Sequence, residues 1–558
     1  MAPNKAIEPT TVDGEPHEEA QQPTAPKDLR FWLIILALLL ATFLAALDLT
    51  AISTALPTIS AALHSREYAW IGNAYSVTSA AFVPWAGGLA HVFGRRVIML
   101  GALAWFFVGS ALCGAAQNMD MMLAGRAFQG VGAGAILTLT EIVLADLVPL
   151  SERGAYQGAF GAVWALASAT GPPIGGALAS SYWPALFYIN LPLTAIVAVI
   201  VGLFLKLKTP EGTYSEKLGR MDWLGNLVFI PSITLLIIAL CWGGQEYSWS
   251  SAHVLAPMII GVLGLVAWFF LEKNYVEHPT VPFATLGNWT TGIGYMTTLI
   301  HGISALCLFY FWPVYFQSVK GATPVRSAVD FFSVAFITAP FAMVAGASIG
   351  ALQMYKPQNV IAWILMTAGP GILSLVTADS PTKAWAPLPI PWAIGVGLLY
   401  AATVFPVLAP LPPALAGKAL AFLVFLRSFG NILGITVGSV VLNNELAKRA
   451  PKDWVASLPG GLPSAFSAIP TIKHLPQPLQ DEVRQAFARS IRIIWFVVIP
   501  FGGVGLILSL FMRSIKLQTQ TDENWGVRER RQSNDPEKTV ELSPSEPSGS
   551  GERAQQRG

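Results

Sequence analysis

Residues 120–148 read DMMLAGRAFQGVGAGAILTLTEIVLADLV, a long and mostly apolar stretch with an arginine, Arg126, in its first third. An arginine at bilayer depth costs about 2.5–3.5 kcal/mol on insertion scales, so a sequence retains one only where it has a partner or a task. The candidate partner is Asp48, which lies within the apolar stretch FWLIILALLLATFLAALDLTAISTALPTI at residues 31–59. Two opposite charges inside a membrane bundle indicate ion or proton coupling.

The composition is that of a membrane protein. Of the 558 residues, 53% are hydrophobic and 12% are charged, and a soluble domain usually carries about twice that charged fraction. The net charge of +2 and the lack of a basic stripe give no indication of a nucleic-acid partner. Cys113, Cys241 and Cys307 all lie in apolar segments, so we expect neither a disulfide nor a metal site. There is no GxxxxGK[ST] motif, so we expect no ATP-driven activity and no cofactor.

Apolar stretches recur along the whole chain, and about 20 such residues cross a bilayer as a helix. A β-barrel would show short alternating patterns instead. The sequence therefore predicts an all-α membrane protein with two six-helix halves and an inserted helix pair between them. The fourteen predicted spans are residues 31–58, 70–92, 97–116, 120–147, 154–179, 183–206, 222–242, 253–271, 289–318, 325–350, 358–378, 387–409, 414–444 and 490–513.

Lysine and arginine are concentrated in the short loops on the side of the N-terminus, which indicates that both termini are cytoplasmic. Within the outer loop, residues 477–489 could form a short amphipathic helix on the surface. The predicted parts are a disordered N-terminal tail (1–28), the N-terminal half (29–206), a linker with two inserted helices (207–271), the C-terminal half (272–513) with its outer loop (445–489), and a disordered C-terminal tail (514–558).

Arg126 lies three residues before Gln129, so both side chains share one helix face. Asp48 is nine residues before Pro57 at the end of the first span, and this spacing corresponds to about 13 Å. Arg126 is six residues after Asp120 at the start of the fourth span, which is about 9 Å. The similar depths favour contact between Asp48 and Arg126, as a proton-coupling site with Gln129 or as a static structural pair.

Two motifs and one acid are candidates for gating. The loop GGLAHVFGRR at residues 87–96 combines glycines, which permit tight turns and close packing, with a pair of arginines. The stretch GPPIGG at 171–176 combines flexible glycines with prolines that interrupt backbone hydrogen bonding. Asp146 could pair with Arg95 or Arg153. The candidate gating residues are Gly88, His91, Gly94, Arg95, Arg96, Asp146, Gly171, Pro172, Gly175 and Gly176.

Several large or polar side chains at mid-span could line a substrate cavity. A single histidine such as His301 is more often a hydrogen-bonded core residue than a proton carrier, and a single aromatic more often packs in the core or against lipid. Arg427, followed by Asn431, lies in the span of the second half that corresponds to the GPPIGG span of the first. The candidate cavity residues are Trp164, His301, Tyr310, Trp312 and Arg427.

Together these motifs resemble the fourteen-span drug:proton antiporters of the major facilitator superfamily, in their fungal form. The resemblance rests on Leu47-Asp48-x-Thr50 with Ala55-Leu56-Pro57, the GGLAHVFGRR loop, Arg126-x-x-Gln129-Gly130, GPPIGG, FYINLPL at 187–193 and YFWPVYFQSVKGATP at 310–324. It implies two halves that rock around a midplane site. The pattern of this family usually has an aspartate at the position of His91, where the carboxylate helps to close the cytoplasmic gate.

The resemblance implies a proton-coupled exporter of small, mostly apolar molecules, with Asp48 as the proton site and GPPIGG as a seam that limits leak. We expect a functional monomer in the plasma membrane or the vacuolar membrane, and no enzymatic activity. Siderophore and vacuolar basic amino-acid transporters of the same superfamily are alternatives. A cationic cargo would require several cavity carboxylates, and besides Asp48 only Glu141 and Asp330 lie near spans. A non-transporting membrane receptor also remains open.

Overall fold

The computed structural model describes residues 27–64, 68–281, 283–458, 465–466, 468–522 and 525. Apart from isolated β-bridge residues at Leu207, Gly243 and Tyr247, the regular structure of these residues is helical. The α-helices are α1 (Leu29–Ala62), α2 (Tyr68–Phe93), α3 (Arg95–Gly114), α4 (Met119–Leu147), α5 (Arg153–Tyr182), α6 (Ala185–Tyr188), α7 (Asn190–Phe204), α8 (Tyr214–Gly219), α9 (Trp223–Trp242), α10 (Ala252–Asn274), α11 (Trp289–Ser318), α12 (Pro324–Leu352), α13 (Lys356–Leu373), α14 (Thr382–Trp385), α15 (Ile390–Ala402), α16 (Val404–Leu408), α17 (Ala416–Arg449), α18 (Lys452–Ser457) and α19 (Leu479–Phe511).

A helix or helix pair lies at each predicted span, and the predicted all-α class is confirmed. Within the described residues, 11 helical segments are long and apolar enough to cross a membrane. The helices α2, α5 and α13 are not among them, since polar residues and glycines dilute their apolar content. The count of fourteen spans therefore stays a prediction.

Two predicted spans are interrupted where proline removes a backbone donor. Pro192 has no N–H for the carbonyl of Tyr188, and the chain divides there into α6 and α7. Pro406 likewise leaves the carbonyl of Ala402 without its helical donor, between α15 and α16. The side chain of Asn359 supplies a replacement, because its Nδ2 donates to the Ala402 carbonyl at 3.2 Å. A neighbouring helix thus compensates for the break.

The N-terminal bundle consists of α1–α7, and α4 packs between α2 and α3. Glycines on α4 set the distance between these helices. A Cβ atom at Gly130 would overlap the carbonyl oxygen of Tyr75, and a Cβ at Gly134 would overlap that of Ser79. Small residues therefore let α2 lie directly on the backbone of α4. This close packing is what encloses the polar face of α4.

The C-terminal bundle consists of α11–α19 and has an aromatic core. Trp312 stacks on Tyr315 with ring centroids 4.9 Å apart, and Trp392 meets Trp495 edge-on at 5.5 Å. Rings in such offset and T-shaped arrangements pack favourably and bury a large apolar area. The fully buried tryptophans of this bundle are Trp312, Trp363, Trp392, Trp454 and Trp495.

The two bundles meet mainly where α5 packs on α12 and where α2 and α4 pack on α17. A Cβ at Gly154 would overlap the carbonyl oxygen of Gly346, and a Cβ at Gly87 would lie 2.5 Å from the Cβ of Ala421. Both contacts lie near one end of the molecule, which also contains the α2–α3 turn and the chain after α19. We call this end the tail face. The bundles are closed against each other there.

The helices α9 and α10 pack on one another, and α9 also contacts α2 and α17. The rings of Phe229 on α9 and Phe425 on α17 are 5.3 Å apart, and Trp242 meets Trp70 of α2 at 5.9 Å. The helix α10 exposes large apolar side chains that water would not favour and lipid would accept. They include Ile259, Ile260, Leu263 and Phe270.

The structure differs in detail from two predictions about the last part of the chain. Residues 479–489, most of the predicted surface helix at 477–489, form the first turns of the continuous helix α19, because Val483, Ala486 and Phe487 extend its buried face. The disorder predicted from residue 514 does not hold for residues 514–522, whose Leu517 is buried. The predicted N-terminal tail lies outside the described residues except for Lys27 and Asp28.

Candidate functional site

Asp48 on α1 lies fully inside the N-terminal bundle, and polar side chains from two other helices surround it. Its Oδ2 accepts a hydrogen bond from Nη1 of Arg126 at 2.5 Å. Its Oδ1 accepts from Nε2 of Gln129 at 3.1 Å and from Nδ2 of Asn190 at 2.7 Å. The predicted contact between Asp48 and Arg126 is therefore present. Charge-assisted bonds of this kind are stronger than neutral ones, and together they satisfy an ionised carboxylate.

Arg126 is fully buried and held from several sides. Its Nε donates to the carbonyl of Ile71 at 2.9 Å, and its Nη1 also donates to Oε1 of Gln129 at 2.8 Å. The guanidinium carbon lies 4.4 Å from the centre of the Tyr75 ring, at a distance that permits a cation–π interaction. Its Nη2 is buried with no hydrogen-bond partner among the described residues. The cation therefore retains unused donor capacity next to Asp48.

Two side chains of this network, Asn190 and Ser110, were not predicted from the sequence. Gln129 Nε2 also donates to Oγ of Ser110 on α3 at 2.7 Å, so Gln129 connects α3 with α1. Asn190 lies within the FYINLPL motif, and a polar amide in an apolar span requires a buried partner. That signal was available in the sequence, whereas Ser110 resembles many other serines in membrane helices.

A second buried ion pair lies at the tail face. Nε of Arg95 and Oδ2 of Asp146 are 2.8 Å apart, and Nη1 of Arg95 donates to the carbonyl of Ala90 at 2.9 Å. Of the two partners considered for Asp146, the structure thus selects Arg95. Arg153 donates instead to the carbonyls of Val148 and Ala145, both at 3.0 Å.

The other residues of the GGLAHVFGRR loop take different positions. Gly94 has a φ of 94° at the start of α3, a conformation that favours glycine. Arg96 donates to the carbonyl of Gly202 and so attaches the loop to α7. The surroundings of Gly88 are open, and the close helix approach expected there occurs at Gly87 instead. Helix rotation explains this difference, since adjacent residues point about 100° apart.

The GPPIGG segment lies inside the continuous helix α5 and packs on α1 directly beside Asp48. A Cβ at Gly171 would overlap Oγ1 of Thr50, and a Cβ at Gly175 would overlap the carbonyl oxygen of Ala51. Oγ1 of Thr54 donates to the carbonyl of Pro172 at 3.0 Å. The neighbouring Gly176 faces the C-terminal bundle, where a Cβ would lie 3.2 Å from Val325.

A group of polar side chains crosses between the bundles nearer to the tail face. We call Glu141, Gln157, Tyr400 and Arg427 the polar layer. Nε2 of Gln157 donates to Oε2 of Glu141 at 2.5 Å in the N-terminal bundle. In the C-terminal bundle, the guanidinium carbon of Arg427 lies 4.6 Å from the centre of the Tyr400 ring. Glu141 and Arg427 interact electrostatically across the boundary.

Three of the candidate cavity residues adjoin or belong to this layer. The ring of Trp164 lies 6.5 Å from that of Tyr400. Nε2 of His301 contacts the carbonyl oxygen of Val396 at 3.1 Å, and His301 interacts electrostatically with Arg427. Glu141 was noted from the sequence as a carboxylate near a span but was not among the predicted cavity residues. Gln157 and Tyr400 were also missed.

Tyr310 and Trp312 are not brought together with the polar layer. Tyr310 follows His301 by nine residues on α11, a rise of about 13 Å towards the opposite face, and stacks on Phe466. Trp312 is fully buried in the aromatic core of the C-terminal bundle. Its neighbours there include Tyr315 and Trp385. A run of aromatic residues in a sequence does not show whether these residues line a cavity or pack in the core.

Residues 38–435 match the family model described as Major Facilitator Superfamily. The chain belongs to this superfamily. It is 38% identical over 540 residues to the efflux pump FUS6 of Gibberella moniliformis, covering 95% of this chain and 96% of that protein. It is 36% identical over 531 residues to the acurin A biosynthesis cluster MFS-type transporter of Aspergillus aculeatus, covering 93% of this chain and 96% of that protein.

The fold also resembles the solved structure of the proton:xylose symporter XylE. The TM-score is 0.56 at 14% sequence identity, covering 88% of this chain and 97% of that chain. At this identity the likeness concerns the fold alone. The superfamily and the apolar helices identify the chain as an integral multi-pass membrane protein and a transporter.

Proposed function

We propose that this major facilitator is a proton-coupled antiporter that exports small, mostly apolar molecules from the cytoplasm. The observation that carries the proposal is Asp48, a buried carboxylate that accepts hydrogen bonds from Arg126, Gln129 and Asn190. Ionisable groups inside a membrane bundle characteristically mark ion or proton pathways. Both termini, and hence the tail face, would be cytoplasmic.

The contacts of Asp48 suggest how a proton would act on the bundle. A protonated carboxyl group donates one hydrogen bond and accepts fewer than a carboxylate does. Binding of a proton would therefore loosen the bonds that Asp48 forms with Gln129 and Asn190. These bonds join α1 to α4 and α7. The helix α1 also packs tightly on the glycines of α5. Loosening the hydrogen bonds of Asp48 would therefore alter how α1 and α5 move together.

The polar layer is the proposed cargo site, together with Trp164 and His301. It combines aromatic surface with a few hydrogen-bonding groups, as sites for small molecules usually do. Nε of Arg427, Oε1 of Gln157 and Nδ1 of His301 are buried without hydrogen-bond partners among the described residues. A neutral or weakly charged cargo with both donors and acceptors would satisfy them.

The proposed cargo class agrees with the names of the relatives, an efflux pump and a transporter of a biosynthesis cluster. Within the polar layer the carboxylate of Glu141 already interacts electrostatically with Arg427, which disfavours a cationic cargo such as a basic amino acid. We propose drugs, toxins or secondary metabolites as cargo, a plasma-membrane location and a functional monomer.

Transport into everted vesicles tests the coupling. Expression in a yeast strain that lacks its own efflux pumps, with growth tests against toxic apolar compounds, first identifies a cargo. An acidic vesicle lumen should then drive accumulation of this compound, and a protonophore should abolish it. Asp48→Asn should lose the dependence on the pH gradient while it still inserts normally.

Asp120→Asn is the matched control, because Asp120 is an exposed carboxylate on the first turn of α4. Its accumulation should equal that of the unmodified protein. Full gradient-driven accumulation by Asp48→Asn would contradict proton coupling through this residue. A chain that acts as a receptor would not accumulate the compound with or without a gradient.

A further inference from the structure

The chain after α19 turns back across the tail face. We call residues 513–522 together with Trp525 the C-terminal segment. On the C-terminal bundle, the carbonyl of Arg513 accepts a hydrogen bond from the Tyr355 hydroxyl at 2.6 Å. Nε2 of Gln518 donates to the carbonyls of Ala409 and Leu411. Leu517 is buried in the same region.

The same segment also binds the N-terminal bundle. The carbonyl of Gln518 accepts a hydrogen bond from the backbone N–H of Ser151 at 3.0 Å. Gln518 therefore bonds to one bundle through its side chain and to the other through its backbone. This single residue bridges the two parts of the protein at the end where they are closed.

Trp525 anchors the segment on the GGLAHVFGRR loop at residues 87–96, which we call the gating loop. The guanidinium carbon of Arg95 lies 3.1 Å from the centre of a Trp525 ring, and the His91 ring lies 5.4 Å from that of Trp525. Trp525 is only 5% exposed, so its cation–π contact with Arg95 is largely desolvated and hence strong. Arg95 simultaneously pairs with Asp146. The segment thus covers the buried ion pair of the tail face.

Alternating access in this fold separates the bundles at one face while they close at the other. A peptide segment that is hydrogen-bonded to both bundles opposes their separation at the tail face. It must release from at least one bundle before that face can open. The position of His91 is consistent with this arrangement, because its imidazole can pack against an indole ring whereas a carboxylate there would prefer a hydrogen-bonding partner.

We propose that the C-terminal segment is an autoinhibitory strap that holds the tail face closed, with Trp525 anchored on Arg95 and His91 of the gating loop. Its release allows the tail face to open and raises the rate of the transport cycle. The proposal rests on rocking of the two bundles, and it does not depend on whether protons drive the cycle.

A cysteine reporter tests the strap without a cargo. The native cysteines Cys113, Cys241 and Cys307 are all buried. Thr138 is fully buried on α4, and its methyl group lies 3.8 Å from the position of a Cβ at Gly87, where α2 meets α17. Thr138→Cys would therefore react with a membrane-impermeant maleimide only when the tail face opens. Labelling is measured in everted vesicles, with the protein lacking this substitution as background.

Truncation after Lys516 should increase the labelling rate of the reporter. Trp525→Ala should also increase this rate, by about tenfold, as expected for loss of a desolvated cation–π contact. Truncation after Trp525 retains the strap and should leave the rate unchanged. Trp525→Phe preserves an aromatic ring over Arg95 and should restore most of the protection. A peptide of residues 513–525 should protect the truncated protein again.

Equal labelling of the unmodified reporter protein and Trp525→Ala would overturn the proposal. If the protein truncated after Lys516 fails to insert, the comparison of labelling rates between Trp525→Ala and Trp525→Phe tests the proposal by itself, because neither substitution removes a backbone hydrogen bond. An increase that occurs equally with truncation after Trp525 would also overturn it, since residues 526–558 would then be responsible. Loss of proton coupling in the transport assay would leave all these labelling results unchanged.

Discussion

The two bundles of this major facilitator are built on opposite interiors. The N-terminal bundle buries the ion pairs Asp48–Arg126 and Arg95–Asp146, whereas the C-terminal bundle buries a cluster of tryptophans. In the first interior, each charge is tolerable only because its partner is present. In the second, rings fill volume without requiring specific partners. The indole nitrogens of Trp312, Trp363 and Trp392 have no hydrogen-bond partners among the described residues.

These opposite interiors suit the two bundles to different tasks in the proposed cycle. Charges that exchange partners can couple a proton to a change in packing, and the proposed proton site and the Arg95–Asp146 pair both lie in the N-terminal bundle. An aromatic interior has little to exchange, and in the proposed cycle it would act as a rigid body against which the other bundle moves. Substitutions should therefore damage the two interiors in different ways.

The largest effect is expected for Arg126→Ala. Removing one partner of a buried pair typically costs about 3–5 kcal/mol in the free energy of unfolding, because the carboxylate of Asp48 remains buried. Transport should be lost, and the protein should elute as aggregate in size-exclusion chromatography. The double variant Asp48→Asn with Arg126→Gln should recover a monodisperse peak, since no charge is stranded. Strictly additive losses would indicate that the two residues act independently.

A similar loss of stability without loss of coupling is expected for Trp495→Ala. Truncation of a buried tryptophan costs about 3–5 kcal/mol through lost contacts and the cavity that remains. The melting temperature of the purified protein should fall. The ratio of transport with and without a pH gradient should not change in the protein that inserts. A changed ratio would show that the aromatic interior participates in coupling.

Gly134→Ala tests the close packing that encloses the charged interior, and a smaller effect is expected. The added methyl would overlap the backbone of Ser79, and overpacking of this kind typically costs about 1–3 kcal/mol. Gly503→Ala on α19 is the matched control, because no atom of the described residues lies within 4 Å of a Cβ there. A fall in melting temperature for the first variant alone would confirm the packing argument.

The smallest effect is expected for Trp312→Phe, which keeps an aromatic ring and removes an indole nitrogen that has no partner among the described residues. The phenyl ring is smaller than the indole, so a small cavity remains, but the cost should lie well below the about 3–5 kcal/mol of a full truncation to alanine. Gln129→Leu, which keeps a similar side-chain volume, should cost more, since it leaves Asp48 and Ser110 short of a donor. Equal melting temperatures for these two variants would remove the contrast between the bundles.

Several features of the site were accessible from the sequence. Long apolar runs predicted the helices, because backbone groups in lipid must be satisfied within a helix. The contact of Asp48 with Arg126 was predicted because each charge alone is costly in a bilayer and therefore needs a partner of opposite charge. Asn190 could have been included by the same logic. Ser110 could not, since serine hydroxyls in helices are often satisfied by their own backbone, as Thr138 is by Gly134.

The helices, the polar character of the N-terminal interior and the superfamily could thus be inferred without a structure, because they depend on composition and on local spacing. The three-dimensional packing determined which neighbours meet. It selected Arg95 over Arg153 for Asp146, separated Tyr310 and Trp312 from the polar layer, and laid residues 513–522 across both bundles. Such contacts join residues far apart in the chain, and their free energies depend on distances and burial that no local pattern encodes.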